Sequence, residues 1–315
     1  MLFKLLAVFN LATGGNFYFN TVIFCSLVFF GHVAFYRIYS DIYKGHKLKL
    51  LLVCFFLPSL VLYTSCTHKD GLTFLGIGIA GFSFYTFLAG SKPVNYKHLL
   101  FFLLGMAIVF LLRNYVLIAL VPAMAIAVLA KMFPLKKNVV FVVGYAIFFL
   151  LFFLSGYTDS FVNMPAAVVK RKADFVLLGE ASTNIAMNEL YPTIKSFARN
   201  APQAVNHFLF RPYLWEFSRP AVLLTAIELF FYQVIIVTFI FFRKKNGNSA
   251  NNFNLFGYAL FLNMMLIIGY TIPNIGAIVR YRSIFWIFIL CPLVCNTYWK
   301  RLWHLRKNSP GNQGL

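Results

Sequence analysis

Few residues in this 315-residue chain could do chemistry, because it carries only eight carboxylates and six histidines. Four of them are placed to act as acids or bases: Asp70, His207, Glu216 and Glu228. Cations suited to an anionic ligand are spread among them: Lys69, Arg113, Arg211, Arg280 and Arg282, with Tyr213 and Trp215 beside Glu216. Arginine offers a planar, bidentate fork to phosphate and carboxylate oxygens, which ranks the arginines above the lysine. A base that activates a hydroxyl, next to fixed cations that steady a departing anion, is the chemistry of group transfer.

The densest of these groupings is Phe210-Arg211-Pro212-Tyr213-Leu214-Trp215-Glu216. Pro212 biases Arg211 towards an extended backbone, so its guanidinium projects away from the preceding helix. Tyr213 and Trp215 read either as anchors in a membrane interface or as aromatic faces for sugar rings. Farther on, Pro273 and Gly276 interrupt a helix just before Arg280-Tyr281-Arg282. Residues two apart do not share a helical face, so one arginine is expected to pair with Glu216 or Glu228 and the other to face a ligand. Glu228 lies inside an apolar run, roughly 12 Å along the helix axis from Pro220. A carboxylate at that depth is costly and is normally partnered or functional, and Arg113, Arg280 and Arg282 are its candidate partners. In His68-Lys69-Asp70-Gly71, Asp70 either caps the following helix or serves as a reactive carboxylate. His68 and His207 are candidate bases.

Other chemistries find no support. Cys291 and Cys295 are one helical turn apart without a nearby histidine or carboxylate, so no metal site and no cofactor are expected. A phosphate-binding glycine loop and the GxSxG pattern are absent. The net charge of +20 is scattered between apolar runs, which suits membrane topology and not a nucleic-acid partner.

The elements that must position these groups are membrane spans. Apolar residues make up 61% of the chain and charged ones 11%, and the apolar runs are long enough to cross roughly 30 Å of hydrocarbon as helix. The expected fold is an all-α, polytopic bundle of nine spans: Phe17–Tyr36, Leu48–Ser65, Gly71–Gly90, Leu99–Leu112, Tyr115–Met132, Val139–Gly156, Pro220–Phe242, Phe253–Tyr270 and Ile284–Trp299. The fourth and fifth, parted only by Arg113-Asn114, read as a tight helical hairpin. Met1–Leu11 is too short to span and reads as an interfacial helix or the tail of a further span. Three regions follow: an N-terminal bundle over 1–156, a polar stretch over 157–219 and a C-terminal bundle with its tail over 220–315.

Alternation of sides assigns sixteen Lys and Arg to one face and four (Lys69, Arg113, Arg280 and Arg282) to the short loops of the other. The basic side is cytoplasmic by the positive-inside rule, which puts the N-terminus and the polar stretch outside and the C-terminus inside. The polar stretch holds five of the eight carboxylates: Asp159, Asp174, Glu180, Glu189 and Glu216. Within it, Asn163–Leu178 reads as an amphipathic helix with Lys170-Arg171-Lys172 on one side. Pro192–Phe210 reads as a second, begun by Pro192, bent or broken at Pro202, with Ile194, Phe197, Val205, Phe208 and Leu209 as its apolar face. Both are expected to rest on the bilayer as a lid.

LPSLVLYTSCTHKDG, LLRNYVLIALVP, FRPYLWE and GYTIPNIGAIVRYR, set in a many-span chain with one long external loop late in the sequence, make this protein resemble bacterial O-antigen and exopolysaccharide polymerases and ligases. The likeness covers most of the chain; the short N-terminus departs from the family's longer set of spans. The resemblance implies nucleotide-independent glycosyl transfer at the outer face of the bacterial cytoplasmic membrane. The donor would be a polyprenyl-pyrophosphate-linked oligosaccharide, and other polysaccharide-assembly proteins would be partners alongside the lipid bilayer. The arginines would hold the pyrophosphate, and Glu216, His207 or Asp70 would activate the acceptor hydroxyl. Two other functions stay open, a lipid-linked glycan flippase and a non-catalytic partner of an assembly enzyme. Another glycosyltransferase class with Asp70 as catalytic carboxylate also stays open, although its members usually place their large external loop after the first span.

Overall fold

The computed structural model describes residues 2–90, 95–133, 136–157, 163–177, 183–216, 220–244 and 251–299. Lys92, Asp159, Glu180, Lys245 and the tail from Lys300 onward, all used in the charge count, lie outside the described residues.

The elements in order are α1 (Leu2–Thr13), α2 (Phe17–Ile42), α3 (Lys47–Phe55), α4 (Pro58–Ser65), α5 (Lys69–Ala89), α6 (Tyr96–Met132) and α7 (Lys137–Leu154). After a short 3-10 turn come α8 (Met164–Leu177), α9 (Ile194–Leu209), α10 (Pro220–Phe242), α11 (Asn252–Thr271), α12 (Ile275–Ser283) and α13 (Ile287–Asn296). No strand occurs among the described residues. Six helices are long and apolar enough to cross a membrane, or eight if α3 with α4 and α12 with α13 each count as one span.

Burial locates the centre of the bundle. The apolar stretches of α11 and α5 are 78% and 67% buried, whereas those of α7 and α10 are 17% buried. Thus α5 and α11 form the core and α7 and α10 the rim. Glycines let α5 approach its neighbours: a Cβ on Gly105 of α6 would lie 2.5 Å from the Gly76 oxygen and 2.7 Å from the Ala80 nitrogen. Close approach through small residues replaces the hydrophobic drive that lipid removes. Around these contacts lies a phenylalanine-rich core, including Phe35, Phe74, Phe253, Phe256 and Phe288, all essentially fully buried.

The hairpin expected around Arg113 is present within α6. Arg113 leaves helical geometry (φ −149°, ψ 72°) and meets Asp70 at the start of α5, while Lys131 Nζ donates to the Phe87 carbonyl at the other end of α5, 2.5 Å away. A straight helix of that length would carry Lys131 away from Phe87 at 1.5 Å per residue, so the chain doubles back at Arg113.

The expected span Leu48–Ser65 is broken into α3 and α4, and the expected span Ile284–Trp299 contributes only α13, which follows α12 across a second bend. α3 and α4 bend by 50° and α12 and α13 by 62°. Pro58 explains the first: it has no N–H to continue α3 and takes the first turn of α4. The two bent pairs lie side by side, α3 on α13 and α4 on α12.

Within the polar stretch, α9 packs into the bundle. α8 forms nearly as expected, with Asn163 Oδ1 accepting from the Ala166 N–H at 2.9 Å. α9 starts at Ile194, where Thr193 accepts from the Ser196 N–H at 3.3 Å, so Thr193 and not Pro192 is its cap. Pro202 sits inside α9 without ending it. α9 is driven into the bundle against α11. Phe208 is fully buried against Phe261 and Trp286, and Tyr270 Oη donates to the Phe197 carbonyl at 2.8 Å. Gly269 permits this, because a Cβ there would lie 2.2 Å from the Ala204 oxygen. Ile194, at the expected apolar face, is left 56% exposed.

Candidate functional site

Asp70 lies in the first turn of α5 with its side chain 2% exposed, and the α6 break brings Arg113 Nη2 to 2.5 Å from Oδ1. From α12, Arg280 Nε approaches Oδ2 at 3.5 Å. The cap position of α5 is His68, which makes no side-chain cap bond, so the Asp70 carboxylate is committed to arginines instead of to helix capping.

These arginines continue into a ladder of guanidiniums and tyrosine rings. Arg113 lies over Tyr281 at 4.0 Å and Tyr115 at 5.8 Å, and its Nη1 donates to Tyr115 Oη at 2.9 Å. Arg280 lies 4.8 Å from the Tyr281 ring and donates to its hydroxyl at 2.9 Å. Over the Tyr115 ring, Arg171 of α8 stacks at 3.7 Å. The rungs therefore run Arg171, Tyr115, Arg113, Tyr281, Arg280. Aromatic faces tolerate a desolvated cation while leaving its in-plane N–H groups free. The Nε atoms of Arg113 and Arg171 are buried without a hydrogen-bond partner among the described residues. Burial pulls the Arg171 pKa down from its ordinary value, with the Arg113 charge acting the same way and Tyr115, Tyr281 and Asp174 opposing. Three guanidiniums, joined by Lys170, thus face Asp70 and the more exposed Asp174. The excess is positive and points at an anion.

Arg171 also lines a cavity of about 1080 Å³ between α6, α7, α8, α9 and α11. Its walls are Phe110, Phe148, Phe149, Phe152, Phe153, Phe197 and aliphatic side chains; its polar groups include Asn114, Lys170, Arg171 and Asp174. An apolar chamber with Lys170 and Arg171 in its wall fits an amphiphile with an anionic head.

A second cluster forms where α9 ends. Arg211 Nη2 pairs with Glu216 Oε1 at 3.2 Å, and the Tyr213 N–H donates to Glu216 Oε2 at 3.1 Å. Trp215, 75% exposed, stacks on Tyr213 at 4.7 Å. Arg282 is buried and Nη1 donates to the carbonyls of Phe208 at 2.5 Å and Arg211 at 2.6 Å. Arg280 and Arg282 thus diverge from α12 as their spacing requires, one to Asp70 and the other inward to the end of α9. Arg282 acts as a clamp on the chain at the end of α9. Glu216 meets Arg211 and neither α12 arginine.

Glu228 takes neither Arg113 nor Arg280 as partner. It accepts from the Ser59 N–H at 3.1 Å and Ser59 Oγ at 3.0 Å, and from Tyr232 Oη. The carboxylate therefore caps the start of α4 where the broken span exposes N–H groups, a placement the helix dipole favours; Arg282 acts on it only at longer range. Lys69 is exposed and makes no ion pair among the described residues.

His207 is buried in α9 beside Arg211. Burial, then the Arg211 charge, push its imidazole from an ordinary 6.5 down to about 4, against a raising contact with the Gly269 backbone. It is neutral at pH 7. A folded pKa below the unfolded one means that the unfolded chain binds the extra proton, so this stability is complete above pH 6.5 and drains away as pH falls towards 4. The melting temperature should fall across that window, and His207→Gln should flatten the dependence; equal slopes for the two proteins would remove His207 from the account.

Sequence reasoning missed Arg171, Tyr115 and Tyr281 as site residues. Arg171 stands in a basic run that reads as the solvated side of an amphipathic helix, and no local signal couples it to Tyr115 more than fifty positions earlier. Neither a family model, nor a curated protein, nor a solved structure matches this chain.

Proposed function

We propose that the protein is a polysaccharide-assembly enzyme of the bacterial cytoplasmic membrane, transferring or polymerising polyprenyl-pyrophosphate-linked oligosaccharide units at the outer face. One observation carries this reading: the guanidinium–tyrosine ladder, with buried N–H groups left over, reaches the wall of the aromatic cavity through Arg171 and Tyr115. The ladder suits a pyrophosphate and the cavity a long apolar chain. Counting α6 as two crossings and each broken pair as one yields nine spans, with the N-terminus and the ladder outside and the C-terminus inside.

In the reaction, an acceptor hydroxyl oxygen forms a bond to the anomeric carbon of the donor sugar. The bond from that carbon to the pyrophosphate oxygen breaks, and its electron pair leaves with the lipid pyrophosphate. Arg113, Arg171 and Arg280 stabilise the departing charge. The hydroxyl proton passes to a carboxylate, for which Glu216 is favoured because it is partly exposed, whereas Asp70 is engaged by two arginines. Arg282 and Glu228 are positioning residues.

The paired broken spans favour a second reading, transport of the lipid-linked glycan, because discontinuous helices with charged groups at their breaks are a device of transporters. The lipid-linked glycan profile of a deletion strain separates the two. With Arg171→Ala, single repeat units should accumulate on the outer face and polymer should fall by about a hundredfold, with Arg171→Lys intermediate. Full-length polymer left on its carrier would assign ligation. Units retained on the inner face would assign transport, and an unchanged profile with well-expressed protein would leave only a scaffolding role.

A further inference from the structure

A second concavity lies on the side of α9 away from the aromatic cavity, about 490 Å³ in volume, between α9 and the segment leading into it. Its walls include Asn188, Glu189, Tyr191, Lys195, Arg199 and Asn200. The volume falls in the range of small-ligand pockets, about 300–1,000 Å³, but the lining is polar. A lipid chain has no place in it.

The frame is rigid for a loop. At one end, the Ile185 N–H donates to the Pro273 carbonyl at 2.8 Å and the Ile275 N–H to Thr183 at 3.0 Å, tying the segment to α12. Along its length, one stripe of α9 holds its backbone. Gln203 Oε1 accepts from the Asn188 N–H at 3.1 Å, Asn200 Nδ2 donates to the Glu189 carbonyl at 2.9 Å, and Ser196 Oγ accepts from the Tyr191 N–H at 2.9 Å. Ser196, Asn200 and Gln203 are spaced to share one helix face. Because those side chains serve the backbone, the groups left for a ligand are others. The Tyr191 ring is 57% exposed. The Lys195 and Arg199 cations, one turn apart, have no ion-pair partner among the described residues. The Glu189 carboxylate is held by Tyr191 Oη.

An exposed aromatic ring flanked by amide, carboxylate and guanidinium groups matches a pyranose, whose C–H face is apolar and whose rim is hydroxyls. The two free cations beside one engaged carboxylate select a negatively charged sugar. We propose that this cleft is a subsite for an acidic saccharide, the acceptor end of the glycan. The assignment to an acceptor rests on the transfer reading above. α9 then serves as the partition between substrates: Phe197, Ala198 and Ala201 face the lipid cavity while Lys195, Ser196 and Arg199 face the cleft.

The test uses the whole protein in lipid nanodiscs with trigalacturonate as acidic probe and maltotriose as neutral control, read by saturation-transfer NMR and titration. Trigalacturonate should bind and maltotriose should bind at least tenfold more weakly. Tyr191→Ala and Arg199→Ala should each weaken trigalacturonate at least tenfold, while Tyr191→Phe, which keeps the ring, should retain it and guard against misfolding. Arg171→Ala should leave binding intact. Absent binding, binding indifferent to both alanine variants, or a preference for maltotriose would overturn the proposal. Loss of binding in Arg171→Ala would also overturn it, since the two sites would then be one. If the glycan profile responds to Arg171→Ala but no saccharide binds, the cleft proposal fails alone. If saccharide binds as expected but the profile is unchanged, the transfer reading fails and a glycan-binding cleft remains.

Discussion

Asp70→Ala is expected to destabilise the protein by about 3–5 kcal/mol, the usual cost of removing one partner from a buried ion pair. The carboxylate is 2% exposed, and its loss leaves Arg113, 10% exposed, without a counter-charge at the point where α6 reverses. Arg280, 33% exposed, can turn towards water and contributes less. Two further variants separate charge from shape. Asp70→Asn keeps the volume and an acceptor oxygen and should cost less. Asp70→Ala combined with Arg113→Ala should recover part of the loss, because no unpaired buried charge remains and a double-mutant cycle isolates the coupling. Denaturant unfolding in matched detergent micelles measures all three. If Asp70→Ala costs under about 1 kcal/mol, the pair behaves as a surface salt bridge and the ladder is not anchored there. Under the proposed function the same variant also abolishes polymer, since Arg113 and Arg280 lose their aim.

Gly269→Ala should be the most damaging single methyl added to a glycine among the described residues. The added Cβ would sit 2.2 Å from the Ala204 oxygen and 2.7 Å from its carbonyl carbon and Cα. Those atoms are backbone, so no rotamer change relieves the overlap and α9 must move off α11. Overpacking usually costs about 1–3 kcal/mol, and here the displacement also draws Phe208 away from Phe261 and Trp286 and the Phe208 carbonyl away from Arg282. Hydrogen exchange should rise across Ile194–Leu209 with α5 and α6 still protected, and glycan transfer should fall because α9 borders both the cavity and the cleft. Gly81→Ala is the matched control, since its Cβ would meet only Phe253 at 3.9 Å. Equal exchange in the two variants would mean that α9 is not docked through Gly269.

The composition and the spacing of apolar runs were sufficient to identify an all-helical membrane bundle. Local signals also placed the reversal at Arg113-Asn114, the divergence of Arg280 from Arg282 and the need of Glu228 for partners. Those readings work because a helix rises a constant amount per residue, so position in sequence converts directly into depth, and i, i+2 spacing converts into opposed faces. What depth cannot supply is the neighbour across the bundle. Arg113 and Arg280 could equally have met Glu228 by level; the structure gives them to Asp70 because the glycine contacts set α6 directly against α5, while the Ser59 N–H at the broken span satisfies Glu228 instead. Arg171 joins the ladder only because α8 is laid against Tyr115. α9 enters the bundle instead of floating on lipid because Gly269, an ordinary residue in its own helix, lacks the one atom that would have kept Ala204 away. Depth is one-dimensional and is written along the chain; which helix faces which is decided by close packing between segments remote in sequence, and that is where this site is made.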